Sequence, residues 1–199
     1  MGTAQNSSAR IIEAAISAVR ETGLENLTTR QIAKLAETSP GNMYTFFSSK
    51  EELLEQCFYK VEREIAALFG HISPSSDEML RDPAEAVRRL WYTYFGYLLQ
   101  SPDRAVFYFR FRTSAAFPAF RQRRDRSFFD DLTPLLMRLD ERYRIFAQMD
   151  ADLLWMYVLD TTLMYANRII EGSLPDTPAT ANSIYRLLMR GFQQFFEEP

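Results

Sequence analysis

Apolar residues recur every three or four positions along most of this chain, a period that predicts helices. A first helix is expected to begin with Ser8 as its N-cap and to end near Thr22, where Gly23 provides a stop. Its inward face would consist of Ile12, Ala15, Ile16 and Val19. Residues 1–6, before this helix, are expected to be disordered.

Three further helices are predicted in the middle of the chain. One covers about 50–69 and is followed by a polar loop at 71–82. Asp82-Pro83 opens the next helix, which Ser101-Pro102 ends before starting another.

The residues that follow carry a mixed signal. Residues 105–111, AVFYFRF, have the β-propensity of a strand, but no second strand candidate lies beside them. We therefore interpret them as helix. One or two more helices are expected between about Ala116 and Tyr143, with Pro118 and Pro134 marking starts or kinks.

The two C-terminal segments are the most apolar. Residues 150–170 are apolar on nearly every side, which predicts a helix buried by a core or by a partner chain. A last helix begins at Pro178, with an apolar stripe made of Ile184, Leu187, Leu188, Gly191, Phe192, Phe195 and Phe196. We interpret the pair, about 150–171 and 178–197, as the interface of a homodimer. The alternative is that both helices only close the core of one chain.

Residues 28–50 carry the start and stop signals of a helix-turn-helix. Thr28 and Gln31 form a capping box at the start of a short helix. Ser49 and Glu52 form a second capping box, which opens the long helix that follows. The inward face of the short helix would consist of Ile32, Ala33 and Ala36.

A turn and a second short helix lie between the two boxes. Glu37-Thr38 makes the turn, Ser39 is an N-cap, and Pro40 occupies the first helical position, where its missing N–H costs nothing. The expected core residues of this stretch are Met43, Phe46 and Phe47. The whole segment predicts a compact reading unit for DNA.

Composition supports an all-α chain in the cytoplasm. The 199 residues include 16 Phe and 10 Tyr but only 7 Gly, which favours helices over turn-rich β architecture. The single cysteine, Cys57, excludes an intramolecular disulfide and suits a reducing compartment. No apolar run reaches membrane-spanning length and no signal peptide is evident, so we expect a cytoplasmic protein with no membrane partner.

Charge and reactive residues limit the function classes. The net charge is −3, and residues 1–50 hold five Lys/Arg against four Asp/Glu, so charge alone does not predict DNA binding. One histidine and one cysteine leave no metal cluster and no Ser–His–Asp or Cys–His set, and no glycine loop cradles phosphate. We therefore expect no enzyme, metal or cofactor. The remaining enzymatic alternative is an acid chemistry around Asp160.

Residues 8–55 resemble the tetracycline-repressor (TetR) family. The resemblance rests on the helix ARIIEAAISAVRETGLENLTTRQIAKLA followed by the signature TSPGNMYTFFSSKEEL. The chain departs from the family pattern at Glu37, where a small residue is commoner, and at Asn42, where threonine is frequent. The resemblance implies a homodimer of all-α subunits with about nine helices, a DNA-binding domain at 1–50 and an effector-binding and dimerisation domain at 51–199.

Nine residues are candidates for contact with double-stranded DNA. Those of the recognition helix are Ser39, Gly41, Asn42, Tyr44 and Thr45. Those for the flanking phosphates are Thr28 or Thr29, Arg30 and Lys50. Gly41 allows close backbone approach, Tyr44 offers a hydroxyl to phosphate, and an asparagine such as Asn42 reads adenine bidentately. The alternative is that Thr28 and Ser39 only cap helices and Tyr44 only packs.

Aromatic residues crowd positions 91–129. They form either a bulky core or an apolar cavity for a small hydrophobic effector, and the resemblance implies a pocket there. The effector-binding candidates are Trp91, Tyr94, Phe95, Phe107, Tyr108, Phe111, Phe128, Tyr157, Asp160 and Met164.

Asp160 is the one acid within an almost wholly apolar helix. Helical spacing puts three residues on its side, Tyr157, Met164 and Asn167. A buried carboxylate has to be paired, hydrogen-bonded or protonated. We expect it to contact a ligand, water or an arginine of either chain, with Arg110 and Arg112 as conceivable partners.

The function that the resemblance implies is a ligand-responsive transcriptional regulator. It would be a repressor, released from a pseudo-palindromic operator by a small apolar or aromatic effector. The alternatives are a dimeric DNA-binding or adaptor protein without a small effector, and an all-helical enzyme that uses Asp160.

Overall fold

The computed structural model of this chain describes residues 2–72, 81–123, 153–154 and 156–190. Within this part the chain forms nine α-helices, one π-helical turn and no strand, which confirms the all-α prediction. The helices are α1 Gly2–Thr22, α2 Thr29–Leu35, α3 Pro40–Met43, α4 Lys50–Ile72, α5 Pro83–Gln100, α6 Pro102–Arg112, α7 Phe117–Gln122, α8 Thr161–Ile170 and α9 Pro178–Met189. Across these residues, no helix combines the length and apolarity that a membrane crossing needs.

The helices divide into two compact units. The first unit contains Met1–Glu64 and Ser101–Arg124, and the second contains Ile65–Gln100 and Asp125–Pro199. The predicted functional boundary at residue 50 concerns binding roles, whereas these units reflect packing. That boundary therefore stays a prediction.

In the first unit, α1 packs against α2 and α6. Its buried residues include Ile11, Ala15, Ile16, Ala18 and Val19. Fully burying a side chain such as Ile16 contributes about 1.5–3 kcal/mol to stability. A hydrogen bond also joins α1 to α6, since Arg110 Nη1 donates to the Val19 carbonyl at 2.5 Å.

A network of four charges links α1, α4 and α6. Arg104 Nε donates to Glu64 at 2.6 Å, and its Nη2 donates to both carboxylate oxygens of Glu13 at 3.1 Å. Lys60 Nζ lies 3.2 Å from each of the same two acids. Partial burial opposes the Lys60 charge, but the hydrogen bonds that Lys60 donates to Glu64 and Glu13 outweigh it and raise the Lys60 pKa. Each charge of the network therefore has two partners of opposite sign.

The C-terminus of α1 agrees with its prediction, and the N-terminus does not. Gly23 adopts a left-handed conformation with φ of 79°, and its N–H donates to the Val19 carbonyl at 2.9 Å. The helix begins at Gly2, so the predicted Ser8 cap is wrong, as is the expected disorder for residues 2–6. No proline or glycine lies between Gly2 and Ser8, so nothing in the sequence interrupts the helical hydrogen bonds there.

In the second unit, α5 packs against α8. The buried Trp91 indole N–H donates to Thr162 Oγ1 at 2.8 Å, and its ring stacks on Phe95 at 4.7 Å. Helix α5 begins at Pro83, as predicted, and Asp82 Oδ1 accepts from the Glu85 N–H at 3.0 Å. The aromatic residues of α5 thus join the core of this unit.

The predicted uninterrupted α-helix over residues 150–170 is wrong, because a π-helical turn occupies Met156–Asp160. The wider turn holds one extra residue and rotates the residues beyond it by about 100°. Asn167 is buried while Tyr157 and Met164 are exposed, so the three residues predicted beside Asp160 differ in their surroundings. Asp160 itself is half-buried rather than enclosed.

The C-terminal helices keep an apolar face exposed on the single chain. Leu153, Met156, Tyr157 and Met164 are not buried by the core of their own chain, and their burial by a partner chain stays a prediction. Helix α9 begins at Pro178 as predicted, and Thr177 Oγ1 accepts from the Thr180 N–H at 3.2 Å. Ile184 and Leu188 are buried, whereas Leu187 is 60% exposed. Predictions for Trp155 and for residues 191–197 lie outside the described residues.

Candidate nucleic-acid interface

The first capping box of the helix-turn-helix is confirmed. Thr28 Oγ1 accepts from the Gln31 N–H at 3.3 Å, and Gln31 Oε1 accepts from the Thr28 N–H at 2.8 Å. These reciprocal bonds satisfy two of the backbone donors that would otherwise be unpaired at the start of α2. Ile32 and Ala33 are buried, as predicted, and α2 packs against α1.

The turn after α2 is a Schellman motif built around Glu37. Glu37 has a left-handed φ of 49°, the Thr38 N–H donates to Ala33 at 2.9 Å, and the Glu37 N–H donates to Lys34 at 3.2 Å. Arg10 braces the turn, since its Nη2 donates to the Ala36 carbonyl at 2.6 Å and lies 3.3 Å from Glu37 Oε2. A left-handed conformation favours glycine, which explains why a small residue is commoner at this position.

Helix α3 is short and held at both ends. Ser39 Oγ accepts from the Asn42 N–H at 3.1 Å, and Pro40 occupies the first turn, as predicted. Met43 and Phe47 are buried, which confirms them as core residues. Phe46 is half-buried, with its ring 6.5 Å from that of Phe47, so its assignment to the core is only partly right.

The second capping box is half formed. Ser49 Oγ accepts from the Glu52 N–H at 3.1 Å, as predicted, but the Glu52 carboxylate turns to Ser48, whose N–H donates at 2.6 Å. Ser48 offers a hydroxyl as well as its N–H, and these two bonds lower the Glu52 pKa. Lys50 Nζ donates to the Leu27 carbonyl at 3.0 Å and ties the start of α4 to the chain before α2.

The predicted DNA contacts of the recognition helix all lie on exposed positions. Ser39, Gly41, Asn42, Tyr44 and Thr45 are exposed, with Tyr44 at 50%. A Cβ atom on Gly41 would meet nothing nearer than Ser39 Oγ at 3.9 Å, so packing within the chain does not require glycine there. Among the phosphate candidates, Thr28 and Arg30 are exposed, while Thr29 and Lys50 are half-buried. Their contact with DNA stays a prediction.

Hydrogen bonds within the chain limit which donors and acceptors Thr45 and Asn42 can offer to DNA. Thr45 Oγ1 donates its single hydrogen to the Asn42 carbonyl at 2.7 Å, so its hydroxyl faces solvent as an acceptor. Asn42 Nδ2 donates to Thr38 Oγ1 at 2.8 Å. The sequence predicts Thr38 as part of the turn but not its bond to Asn42, nor the contact of Arg10, since nothing in the sequence shows which side chains a turn brings together.

The structure divides the predicted effector-binding residues between the two units. Trp91, Tyr94 and Phe95 lie in the second unit with Tyr157, Asp160 and Met164, whereas Phe107, Tyr108 and Phe111 lie in the first. The chain passes from α5 of one unit to α6 of the other at Ser101-Pro102. The role of these residues in effector binding stays a prediction. Phe128 lies outside the described residues.

The aromatic cluster of the first unit contains a buried polar pair. Tyr108 stacks on Phe58 at 4.8 Å, and its hydroxyl lies 3.3 Å from the buried carboxylate of Glu62. The Arg112 guanidinium lies 5.4 Å from the Tyr108 ring centre and 5.2 Å from that of Phe117. Arg112 thus has contacts of its own in the first unit, as Arg110 does with Val19.

Comparison with known proteins places these observations in a family. The model of the family described as bacterial regulatory proteins, tetR family, matches residues 11–57. An uncharacterised HTH-type transcriptional regulator of Mycobacterium tuberculosis is 32% identical over 56 residues, which are 28% of this chain and 26% of that protein. The sequence match therefore covers about a quarter of that relative's length.

Solved structures extend the likeness to the fold of the whole chain. A TetR family transcription regulator from Marinobacter aquaeolei VT8 has a TM-score of 0.74 at 22% identity, over 96% of this chain and 97% of that one. Residues 11–57 thus match the tetR family model, and the rest of the likeness is one of fold. FadR from Bacillus subtilis, solved in complex with stearoyl-CoA, has a TM-score of 0.64 at 20% identity, over 92% of this chain and 98% of that one. At these identities the two structures show the fold alone.

The matched family bears on the role of the helix-turn-helix. The family and the similar proteins are transcription regulators and not enzymes. Regulators of the TetR family bind DNA and act as dimers. The exposed surface of α3, which lies within the matched residues 11–57, is therefore the candidate DNA interface.

Replacing Glu37 by glycine is expected to stabilise the protein. Glycine adopts the left-handed conformation without the cost of about 1 kcal/mol or more that other L-residues incur. The exposed Arg10–Glu37 ion pair that would be lost contributes little. Urea unfolding should show a free energy of unfolding raised by about 0.5–1 kcal/mol.

The matched control is Glu25→Gly. Glu25 is exposed in the preceding turn and does not have a positive φ. Glycine there adds freedom to the unfolded chain and should lower the stability. If Glu37→Gly is no more stable than the unsubstituted protein, the left-handed turn is not a source of strain.

Proposed function

We propose that this protein is a ligand-responsive transcriptional regulator, a repressor that a small apolar effector releases from a pseudo-palindromic operator. The observation that carries the proposal is the exposed polar face of α3, fixed by the Ser39 cap and by the buried Met43. A short helix braced in this way presents side chains to a groove without first having to order them.

The DNA-binding region has almost no net positive charge, so individual hydrogen bonds from well-positioned side chains have to provide the binding. Tyr44 and Arg30 are exposed donors suited to phosphate oxygens, and Asn42 is the residue best suited to a base edge. Gly41 permits close approach of the α3 backbone. Because phosphate contacts release counterions, binding should weaken steeply with salt even though the net charge is −3.

An exposed apolar face in the second unit supports a homodimer through the C-terminal helices. Its members are Leu153, Met156, Tyr157, Met164 and Leu187. Large apolar side chains exposed together are typical of a protein interface. A two-fold dimer would present its two recognition helices to successive major grooves, about 34–36 Å apart.

The aromatic core of the second unit supports an effector site. Trp91 contacts both the aromatic Phe95 and, through its indole N–H, Thr162 on α8. Stearoyl-CoA, bound by the FadR of similar fold, combines an acyl chain with a polar head and is a reasonable probe for such a core. An effector acts only if it binds the operator-competent and released states with different affinities.

A second candidate is a dimeric DNA-binding or adaptor protein without a small effector. It is favoured by the close packing of aromatic rings in the first unit, where Phe58 lies 4.8 Å from Tyr108 and 5.1 Å from Phe111. Rings in such contact act as core. The effector experiment below separates the two candidates.

Specific DNA binding should depend on Asn42 and Tyr44. We expect the purified protein to bind DNA from upstream of its own gene in a saturable manner, with affinity that falls as salt rises. The double variant Asn42→Ala with Tyr44→Ala should lose roughly tenfold or more in affinity. Fluorescence anisotropy across a salt series measures both effects.

The matched control is Asn26→Ala, in the turn before α2. Its side chain donates to the Thr22 carbonyl at 3.2 Å and lies outside the recognition helix. This variant should bind DNA as the unsubstituted protein does. Failure of the folded, dimeric protein to bind this upstream DNA would count against the proposed function.

Replacing Leu187 by glutamate should dissociate the dimer. Leu187 is 60% exposed on one chain, and a carboxylate buried in an apolar interface costs several kcal/mol. Analytical ultracentrifugation should show a monomer at concentrations where the unsubstituted protein is a dimer. Leu35→Glu is the control, because Leu35 on α2 is similarly exposed at 57% and lies in the first unit. Dimers of equal strength in both variants would contradict this interface.

An acyl-chain effector should weaken DNA binding. Adding stearoyl-CoA is expected to raise the dissociation constant for the upstream DNA roughly tenfold. Coenzyme A without the acyl chain should have little effect, since the apolar chain would provide most of the binding. Trp91→Phe, which keeps an aromatic ring but removes the bond to Thr162, should reduce the response. An unchanged dissociation constant in stearoyl-CoA would favour the candidate without this effector class.

A further inference from the structure

The side chain of Asn42 is held before any DNA is bound. Its Nδ2 donates to Thr38 Oγ1 at 2.8 Å, across the start of α3. Its backbone is held as well, because its N–H donates to Ser39 Oγ at 3.1 Å and its carbonyl accepts from Thr45 Oγ1 at 2.7 Å. Asn42 is nevertheless exposed. The residue thus combines a fixed position with an accessible amide.

Thr38 is a rigid acceptor for this bond. It directly follows the left-handed Glu37, and its N–H donates to the Ala33 carbonyl at 2.9 Å. The branched side chain of threonine restricts rotation about χ1. Thr38 is half-buried, so its hydroxyl sits at the edge of the exposed surface that carries Asn42. The turn before α3 therefore determines where the acceptor lies.

The chemistry of the amide explains what this bond leaves available. A carboxamide has two N–H hydrogens and one carbonyl oxygen. Bidentate recognition of adenine uses one N–H, which donates to N7, and the oxygen, which accepts from the N6 amino group. Thr38 takes one hydrogen and leaves one N–H together with the oxygen. This remaining pair is the set that adenine needs.

We propose that Thr38 is a positioning residue that presets the Asn42 amide for adenine in the operator. The bond to the hydroxyl fixes the side-chain rotamer of Asn42, so binding does not have to order it. The inference rests on the proposed DNA-binding function. It adds that adenine is the base recognised and that Thr38 helps Asn42 to select it.

The test measures base preference rather than affinity alone. Full-length protein is used to select from a randomised DNA duplex library, and the selected site is then made with each of the four bases at every position. Asn42→Ala should lower the preference for adenine at one base pair of each half-site, by roughly tenfold. Thr38→Val, which has a similar shape but no acceptor, should lower the same preference about threefold.

Two controls separate positioning from folding. Thr38→Ser keeps the hydroxyl and should retain most of the adenine preference. Thr38→Val should lower the adenine preference more than it lowers affinity for a duplex of unrelated sequence, whereas general damage to α3 would lower both together. Circular dichroism melting of each variant establishes that it is folded.

Each remaining outcome overturns the inference in a distinguishable way. If Asn42→Ala loses the adenine preference and Thr38→Val keeps it, Thr38 does not position the amide although the proposed function stands. If Asn42→Ala changes no base preference, Asn42 does not read a base. If the unsubstituted protein selects no sequence at all, the proposed function fails and the inference fails with it.

Discussion

Packing of α1 between α2 and α6 is the interaction on which the DNA-reading region depends. Helices α1, α2 and α3, with 21, 7 and 4 residues, bury too little apolar surface to be stable alone. Residues of α6, about 80 positions or more after those of α1, provide the missing surface and the charges that hold it. Arg104 of α6 bonds both Glu13 of α1 and Glu64 of α4. The reading region therefore packs within a larger unit that includes α6.

Once α1 is held, short-range bonds determine the geometry of the recognition helix. The Schellman turn brings the chain round within two residues, at the cost of a left-handed Glu37. That same turn delivers Thr38 to the side chain of Asn42. A strained backbone position and a preset base-reading amide thus have one structural cause, and Arg10 of α1 supports both by bracing the turn.

In the second unit, one helical segment performs two tasks. The π-helical turn rotates α8 so that Thr162, Leu163 and Asn167 are buried. Thr162 accepts from Trp91 and donates to the Val158 carbonyl, so the turn and α5 share one hydroxyl. Met156 and Tyr157, within the turn, stay exposed. The residue that contacts Trp91, Thr162, thus directly follows the π-helical turn whose Met156 and Tyr157 are exposed.

The sequence by itself determined the features that depend on neighbours three or four residues apart. The Thr28–Gln31 box, the Ser39 cap, and the helix starts at Pro83 and Pro102 were all predictable, because donor and acceptor lie within one turn. Only the tertiary structure decided the rest. Which unit receives each aromatic residue and where a π-turn changes the helical register depend on packing between distant parts of the chain. No local pattern encodes these outcomes. Alternative packings of the same helices would keep the same short-range hydrogen bonds and would differ only in which side chains are buried against distant parts of the chain.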